Sequence, residues 1–484
     1  MLPLSAYTVV IMLLLPGGEP PENPWKEKVA PAVARADSRP TVAALHDALD
    51  VAWRADDWEA GLKMAELALR RHADEPELLG MIVRGLWRGG RIADAEHLAT
   101  KITPDRKDRV ALRVGLELSL TRGELARAEK LAARLEDLKP HTAEDLYQLF
   151  GLRLMSNRLT GAADMLRQAE RLTDPNEGYP ETYVAEAING VADFLEAVGP
   201  QPLNQIEKHG SAPMPPLVLL NLPSCDAYIN GRGPFRLIVD TGGSITLALD
   251  QTVADEIGLK SVATATIRGV SGKQESGQVL VEELRIGDIV CRRVVTRTFD
   301  VHGAIMNAAD GIIGTGVFWG GRMTLDFARG ELVIGPSQDE PGPGRAAELR
   351  LVSDAKLVVP VTLEGQPGVA LLDTGADAVA LAPSRLKKLF PDREVEIFAP
   401  GLALGVGSGK GPEISLGRGV KLEFAGRTFE NYGGLGLDVL DDVLSPVMGI
   451  QTDILLGMPT FREMKSCTVD FPKCRMWIEW MESK

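Results

Sequence analysis

The triplet Asp-Thr-Gly occurs twice, at Asp240-Thr241-Gly242 and at Asp373-Thr374-Gly375. Each follows an apolar, strand-like run: Leu237-Ile238-Val239 before the first and Val369-Ala370-Leu371-Leu372 before the second. From average residue usage, about 0.1 such triplets are expected by chance in a chain of this length. A single copy reads as a strand running out into a turn, because Asp and Gly favour turns. Two copies in matched contexts constrain the fold far more, because they imply a duplicated unit.

The duplication extends downstream. Asp250 to Gly258 reads as an N-cap, a short helix and a glycine stop, and Ala382 to Pro391 as a short helix ended by proline. A glycine-rich turn follows in each copy, Gly269-Val270-Ser271-Gly272 and Gly405-Val406-Gly407-Ser408-Gly409. Alternating strands come next, such as Val279 to Ile286 and Val420 to Phe424. Both copies then reach an apolar run ending in glycine, Asp310 to Gly314 and Thr452 to Gly457. Asp326-Phe327 lies 12 residues beyond the first of these glycines and Asp470-Phe471 lies 13 beyond the second. Self-similarity of this length predicts two β-rich lobes related by a pseudo-two-fold axis.

These motifs resemble the retropepsin-like aspartic protease family, over roughly residues 217–484. The resemblance implies an all-β bilobal domain of the retropepsin or pepsin type, with Asp240 and Asp373 as the catalytic pair. Two carboxylates held close together share one proton, so one can activate a water and the other can donate to the scissile carbonyl. Thr241 and Thr374 would hydrogen-bond across the lobes. Gly242 and Gly375 would allow a tight backbone bend. Asp377 would accept a substrate N–H, with Ser244 at the matching place in the first copy. The turns Gly269, Val270, Ser271, Gly272 and Gly405, Val406, Gly407 would act as flaps over a peptide. Neither turn carries the tyrosine of pepsin-type flaps, and Gly243 replaces the more usual Ala or Ser. The activity implied is that of an aspartic endopeptidase needing no cofactor and no metal, and monomeric because both lobes lie in one chain. The alternative is a peptide-binding protein on degenerate lobes, holding its ligand by strand addition without turnover.

Other chemistries find no motif. Leu404 to Gly411 faintly suggests a phosphate loop but has Leu404 and Gly411 where Gly and Ser/Thr are needed. The six histidines show no ligand spacing, and no Gly-x-Ser-x-Gly elbow is present. A net charge of −14 without a basic run argues against nucleic acid as a partner.

Residues 26–199 read as an all-α helical-repeat domain rich in Ala, Leu, Glu and Arg. Small residues recur at Gly61, Ala95, Ala128 and Ala162, 34, 33 and 34 residues apart. This resembles tetratricopeptide repeats, which implies a docking surface for a protein partner, or else a helical cap that supports the lobes. Residues 1–25 read as a signal-peptide-like or anchor segment, because Leu4 to Leu15 is apolar but too short to span a bilayer. The expectation is therefore export. Residues 200–216 and 337–348 read as Pro- and Gly-rich linkers flanking lobes at 217–336 and 349–484. Of the four cysteines, Cys467 and Cys474 would bridge a terminal hairpin in an oxidising compartment, and Cys225 and Cys291 would be strand neighbours. Buried thiols are the alternative for all four.

Overall fold

The computed structural model describes residues 15–16, 23–218, 220–243, 247–269, 272–352, 355–392, 396–400, 413–416 and 419–482. The chain divides into two compact units, 18–201 with 446–451, and the remainder.

The first unit is helical. Lys26–Ser38, Val42–Ala55, Trp58–His72, Pro76–Arg88, Ile92–Ala99, Arg109–Thr121, Leu125–Asp137, Ala143–Met155 and Ala162–Leu172 follow one another, and Tyr179–Ile188 and Val191–Val198 complete the run. Local signals set the helix starts. Thr41, Asp57, Asp108 and Thr142 each accept a main-chain N–H in the first turn, and Thr142 forms a capping box with Asp145. Neighbouring helices pack in antiparallel pairs, such as Trp58–His72 on Pro76–Arg88 and Arg109–Thr121 on Leu125–Asp137. Small residues permit the close approach: a Cβ on Gly85 would come within 2.8 Å of the Ala65 Cβ. Ala95, Ala128 and Ala162 are fully buried. Among the described residues, no helix is long and apolar enough to cross a membrane.

The second unit is β-rich and holds both lobes. In the first lobe six strands pair in a closed ring among the described residues: Gly272–Ile286, Ser224–Ile229, Arg232–Asp240, Gly311–Gly314, Leu247–Asp250 and Ile289–Phe299, the last pairing back to the first. Ring closure leaves these strands no edge, and the interior is apolar, with Leu237, Ile238, Val281, Leu284 and Ile312 buried. The second lobe repeats the order. Lys356–Leu363 pairs with Gln366–Leu372, which runs parallel to Ile454–Leu456, itself antiparallel to Val379–Leu381.

A third sheet joins the lobes, in the order Arg345–Ala347, Arg475–Trp480, Met464–Asp470, Gly321–Asp326, Glu331–Pro336, Gly210–Pro213. Its two central strands are the ones that end at the repeated Asp-Phe pairs. Thr324 stands opposite Thr468 at their midpoint, with the hydroxyl oxygens 2.9 Å apart.

Two stretches read as linkers contribute strands instead. Gln205–Lys208 pairs with Ile289–Phe299 and Gly210–Pro213 with Glu331–Pro336, so part of 200–216 belongs to the sheets. Arg345–Ala347, within 337–348, pairs with Arg475–Trp480. Gly210–Pro213 and Arg345–Ala347 are the outermost strands of the third sheet, where prolines and weak local pattern are tolerated because one side of the ladder needs no partner.

The cysteines are not disulfide-bonded. Gly272–Ile286 lies between the strands of Cys225 and Cys291, so the two are not strand neighbours. Cys467 stands opposite Ile478, whereas Cys474 sits in the turn beyond Arg475. That offset of three to four residues is roughly 10–13 Å, more than a disulfide spans. Burial pushes the thiols of Cys225, Cys291 and Cys467 up to about 12, which leaves them protonated and inert.

Candidate active site

Each triplet leaves its strand at the same place in its lobe. Arg232–Asp240 runs parallel to Gly311–Gly314, which brings Gly314 beside Asp240. Gln366–Leu372 runs parallel to Ile454–Leu456, and the Asp373 N–H donates to the Leu456 carbonyl (3.1 Å). A second aspartate anchors each of these strand pairs. Asp310 accepts the Arg236 N–H (2.8 Å) and Asp453 accepts the Val369 N–H (2.8 Å). These anchors escaped sequence reading, although both stand at the start of the apolar-Gly runs that defined the repeat.

The two turns interlock across the lobes. The Thr241 N–H donates to Thr374 Oγ1 (3.0 Å), and the Thr374 N–H donates to Thr241 Oγ1 (3.1 Å). Each hydroxyl passes its own hydrogen across: Thr241 Oγ1 donates to the Leu372 carbonyl (2.9 Å) and Thr374 Oγ1 to the Val239 carbonyl (2.7 Å). Asp240, Thr241, Asp373 and Thr374 are all buried. The Asp240 and Asp373 carboxyls each lie against the glycine of the opposite turn, Gly375 and Gly242 respectively. Glycine is required here by contact: a Cβ on Gly375 would stand 2.6 Å from the Asp240 Cγ, and one on Gly242 would overlap the Asp373 carboxyl.

The pair is asymmetric. Asp240 Oδ1 accepts N–H groups from both Gly242 and Gly243 (2.9 Å each), whereas Asp373 Oδ1 accepts that of Gly375 (2.7 Å). Gly243 thus allows the second donor to close on Asp240. Oδ2 of each aspartate is buried and accepts no hydrogen bond among the described residues. Burial pushes Asp240 up to about 6, against the pull of its hydrogen bonds. Asp373 is raised further above the ordinary carboxylate range, by burial and then by the neighbouring charge of Asp240.

The other expected site residues are placed unevenly. Gly269 and Gly272 face each other at the tip of an antiparallel hairpin formed by Ala263–Gly269 and the start of Gly272–Ile286. Asp377 is half-buried, four residues beyond Asp373. Ser244, Val270, Ser271, Gly405, Val406 and Gly407 lie outside the described residues. Among the described residues, no cluster of three or more His, Cys, Asp or Glu is arranged to hold a metal ion.

A profile of the aspartyl protease family matches residues 225–317 and again 359–460. Each match contains one Asp-Thr-Gly turn and the apolar-Gly run that pairs with it, so the profile matches each lobe once. Among solved structures, the chain is similar to an aspartic proteinase from Irpex lacteus at 13% identity, covering 56% of this chain and 97% of that one with a TM-score of 0.35. It is also similar to a retropepsin-like aspartic protease from Rickettsia conorii at 14% identity, covering 27% of this chain and 94% of that one with a TM-score of 0.19. No curated protein matches the chain.

Proposed function

We propose that the chain is an aspartic endopeptidase whose catalytic groups are Asp240 and Asp373. The observation that carries this reading is the buried carboxyl pair, each member packed against the glycine of the opposite turn and the two turns locked by the crossed threonine bonds. The two main-chain N–H groups on Asp240 favour its ionised form, and the charge of Asp240 favours a proton on Asp373. A water between the Oδ2 atoms gives a proton to Asp240 as its oxygen attacks the peptide carbonyl carbon. Asp373 passes its proton to the carbonyl oxygen, forming a neutral gem-diol. As the C–N bond breaks, the amine nitrogen takes the proton from Asp240, and the diol returns a proton to Asp373.

The same reading makes the substrate a peptide or protein lying in the cleft beneath the Gly269–Gly272 hairpin. The helical unit would dock a protein partner or the substrate protein. The apolar start of the chain suggests export, which fractionation of expressing cells tests. Digestion of a mixed peptide library tests the activity directly. Wild-type protein should cleave it, and Asp373→Asn should lose at least about 10³-fold, because the pair works as a unit. Retention of a peptide without cleavage by the wild type would favour the binding reading instead.

A further inference from the structure

The two aspartates are related by the pseudo-two-fold, but the residues across the ladder from them are not. In the first lobe Ser224 pairs with Ile238, and extending that register sets Leu222 opposite Asp240. In the second, Leu357 pairs with Leu372, and the same extension sets Lys356 opposite Asp373. Residues opposite each other on antiparallel strands project to one face, with Cβ atoms about 4.5–5.5 Å apart. Leu222 and Lys356 are both fully buried. One aspartate therefore has a leucine across from it and the other a lysine.

The backbone at Lys356 is held from both lobes. Val352 pairs with Lys356 in the preceding hairpin. The Thr315 hydroxyl donates to the Ala355 carbonyl (3.0 Å), and Thr315 directly follows Gly314, the residue in register with Asp240. Among the described residues, the charged groups on the elements beside Lys356 include Arg350, which ion-pairs with Glu348 (3.2 Å), Asp373, Asp377, Lys421 and Glu423 on the strand paired at its far end, and, from the first lobe, Asp240. A lysine removed from water in this position has the carboxyl pair as its electrostatic counterpart.

We propose that Lys356 is a positioning residue for the carboxyl pair: its buried ammonium stabilises the pair's single negative charge and sets the pH range in which one proton is shared. This rests on the aspartic-peptidase reading for its consequence in catalysis, but not for the electrostatic effect itself. Burial pushes both Asp240 and Asp373 up most strongly; the main-chain N–H groups, and after them Lys356, pull the other way. Without Lys356, both proton losses from the pair would occur at higher pH.

The test compares Lys356→Leu, which installs the residue found at the matching place in the first lobe, with Lys356→Arg, which keeps the charge. Both limbs of the kcat/KM profile should move to higher pH in Lys356→Leu, since a neighbouring positive charge favours the ionised carboxyl. Lys356→Arg should leave the limbs in place. Carboxyl ¹³C titration of the aspartates reads the same change without turnover, with Asp240→Asn and Asp373→Asn identifying the two signals. Titrations of Lys356→Leu that superimpose on wild type, or limbs displaced equally by Lys356→Arg, would overturn the assignment. If Lys356→Leu and Lys356→Met fail to fold even at pH 4, where the pair is protonated, the lysine is structural and the proposal falls. A wild type without turnover sinks the peptidase reading alone, and the ¹³C titration then decides the role of Lys356.

Discussion

Asp240, Asp373 and Asp453 are carboxyl groups that the folded chain makes harder to ionise. Burial is the first cause in each; for Asp453 it is partly offset by Arg385 (3.7 Å) and the Val369 N–H, and the net result lifts the group to about 6. Because the folded state holds these protons more tightly than the unfolded chain, their contribution to stability is fullest below the ordinary value of 3.8 and is lost as pH rises through about 6. Denaturant unfolding should therefore show stability falling between about pH 4 and pH 7. Asp453→Asn should flatten that fall by on the order of 1–3 kcal/mol, since a tenfold change in proton affinity on folding is worth about 1.4 kcal/mol. A stability that instead climbs through this interval would mean the carboxyls are not protonated in the folded protein.

At the scale of strands, the sheet between the lobes rests on a buried ion pair. Arg322 Nε and Nη2 both reach Asp470 Oδ2 (3.1 Å), while Ser337 Oγ donates to Asp470 Oδ1 (2.7 Å). Arg322 Nη2 also donates to the Gln338 and Glu340 carbonyls (2.9 and 2.7 Å), tying the connection between lobes to the sheet. Arg322→Met should cost about 3–5 kcal/mol in urea unfolding, because it leaves Asp470 charged and uncompensated in the interior. A loss below about 1 kcal/mol would show that water reaches the pair. The central strands here were legible as repeated Asp-Phe endings, as were the Asp250-capped helix Gln251–Glu256 and the helix Pro383–Leu389. Gly210–Pro213 was not, because its partner Glu331–Pro336 lies more than a hundred residues away and its own sequence is short and proline-bounded. Lys356 was hidden for a similar reason. Its place beside the carboxyl pair depends on hairpin register, and no local pattern announces it.

For the whole molecule, both aspartates come from one chain, and every bond of the threonine crossing is intramolecular. Specific activity should therefore stay constant on dilution through the nanomolar range. A steep fall on dilution would place part of the site on a second copy. Each lobe also places three strands in the sheet that joins them: Gly210–Pro213, Gly321–Asp326 and Glu331–Pro336 from one, Arg345–Ala347, Met464–Asp470 and Arg475–Trp480 from the other.

That even division leaves no strand in the connection between Pro336 and Arg345, and beyond Glu340, the last residue there that binds the Arg322–Asp470 pair, it acts as a tether. The lobes are held by an antiparallel seam whose midpoint is Thr324 opposite Thr468, and severing the tether removes no strand from it. A chain nicked in this stretch would keep its halves together as two fragments in a tight heterodimer. Separately made fragments have the complementary surfaces needed to rebuild the cleft. The covalent link then acts as a concentration device: it fixes one partner per lobe and keeps the unlike turns of Asp240 and Asp373 from pairing with their own kind.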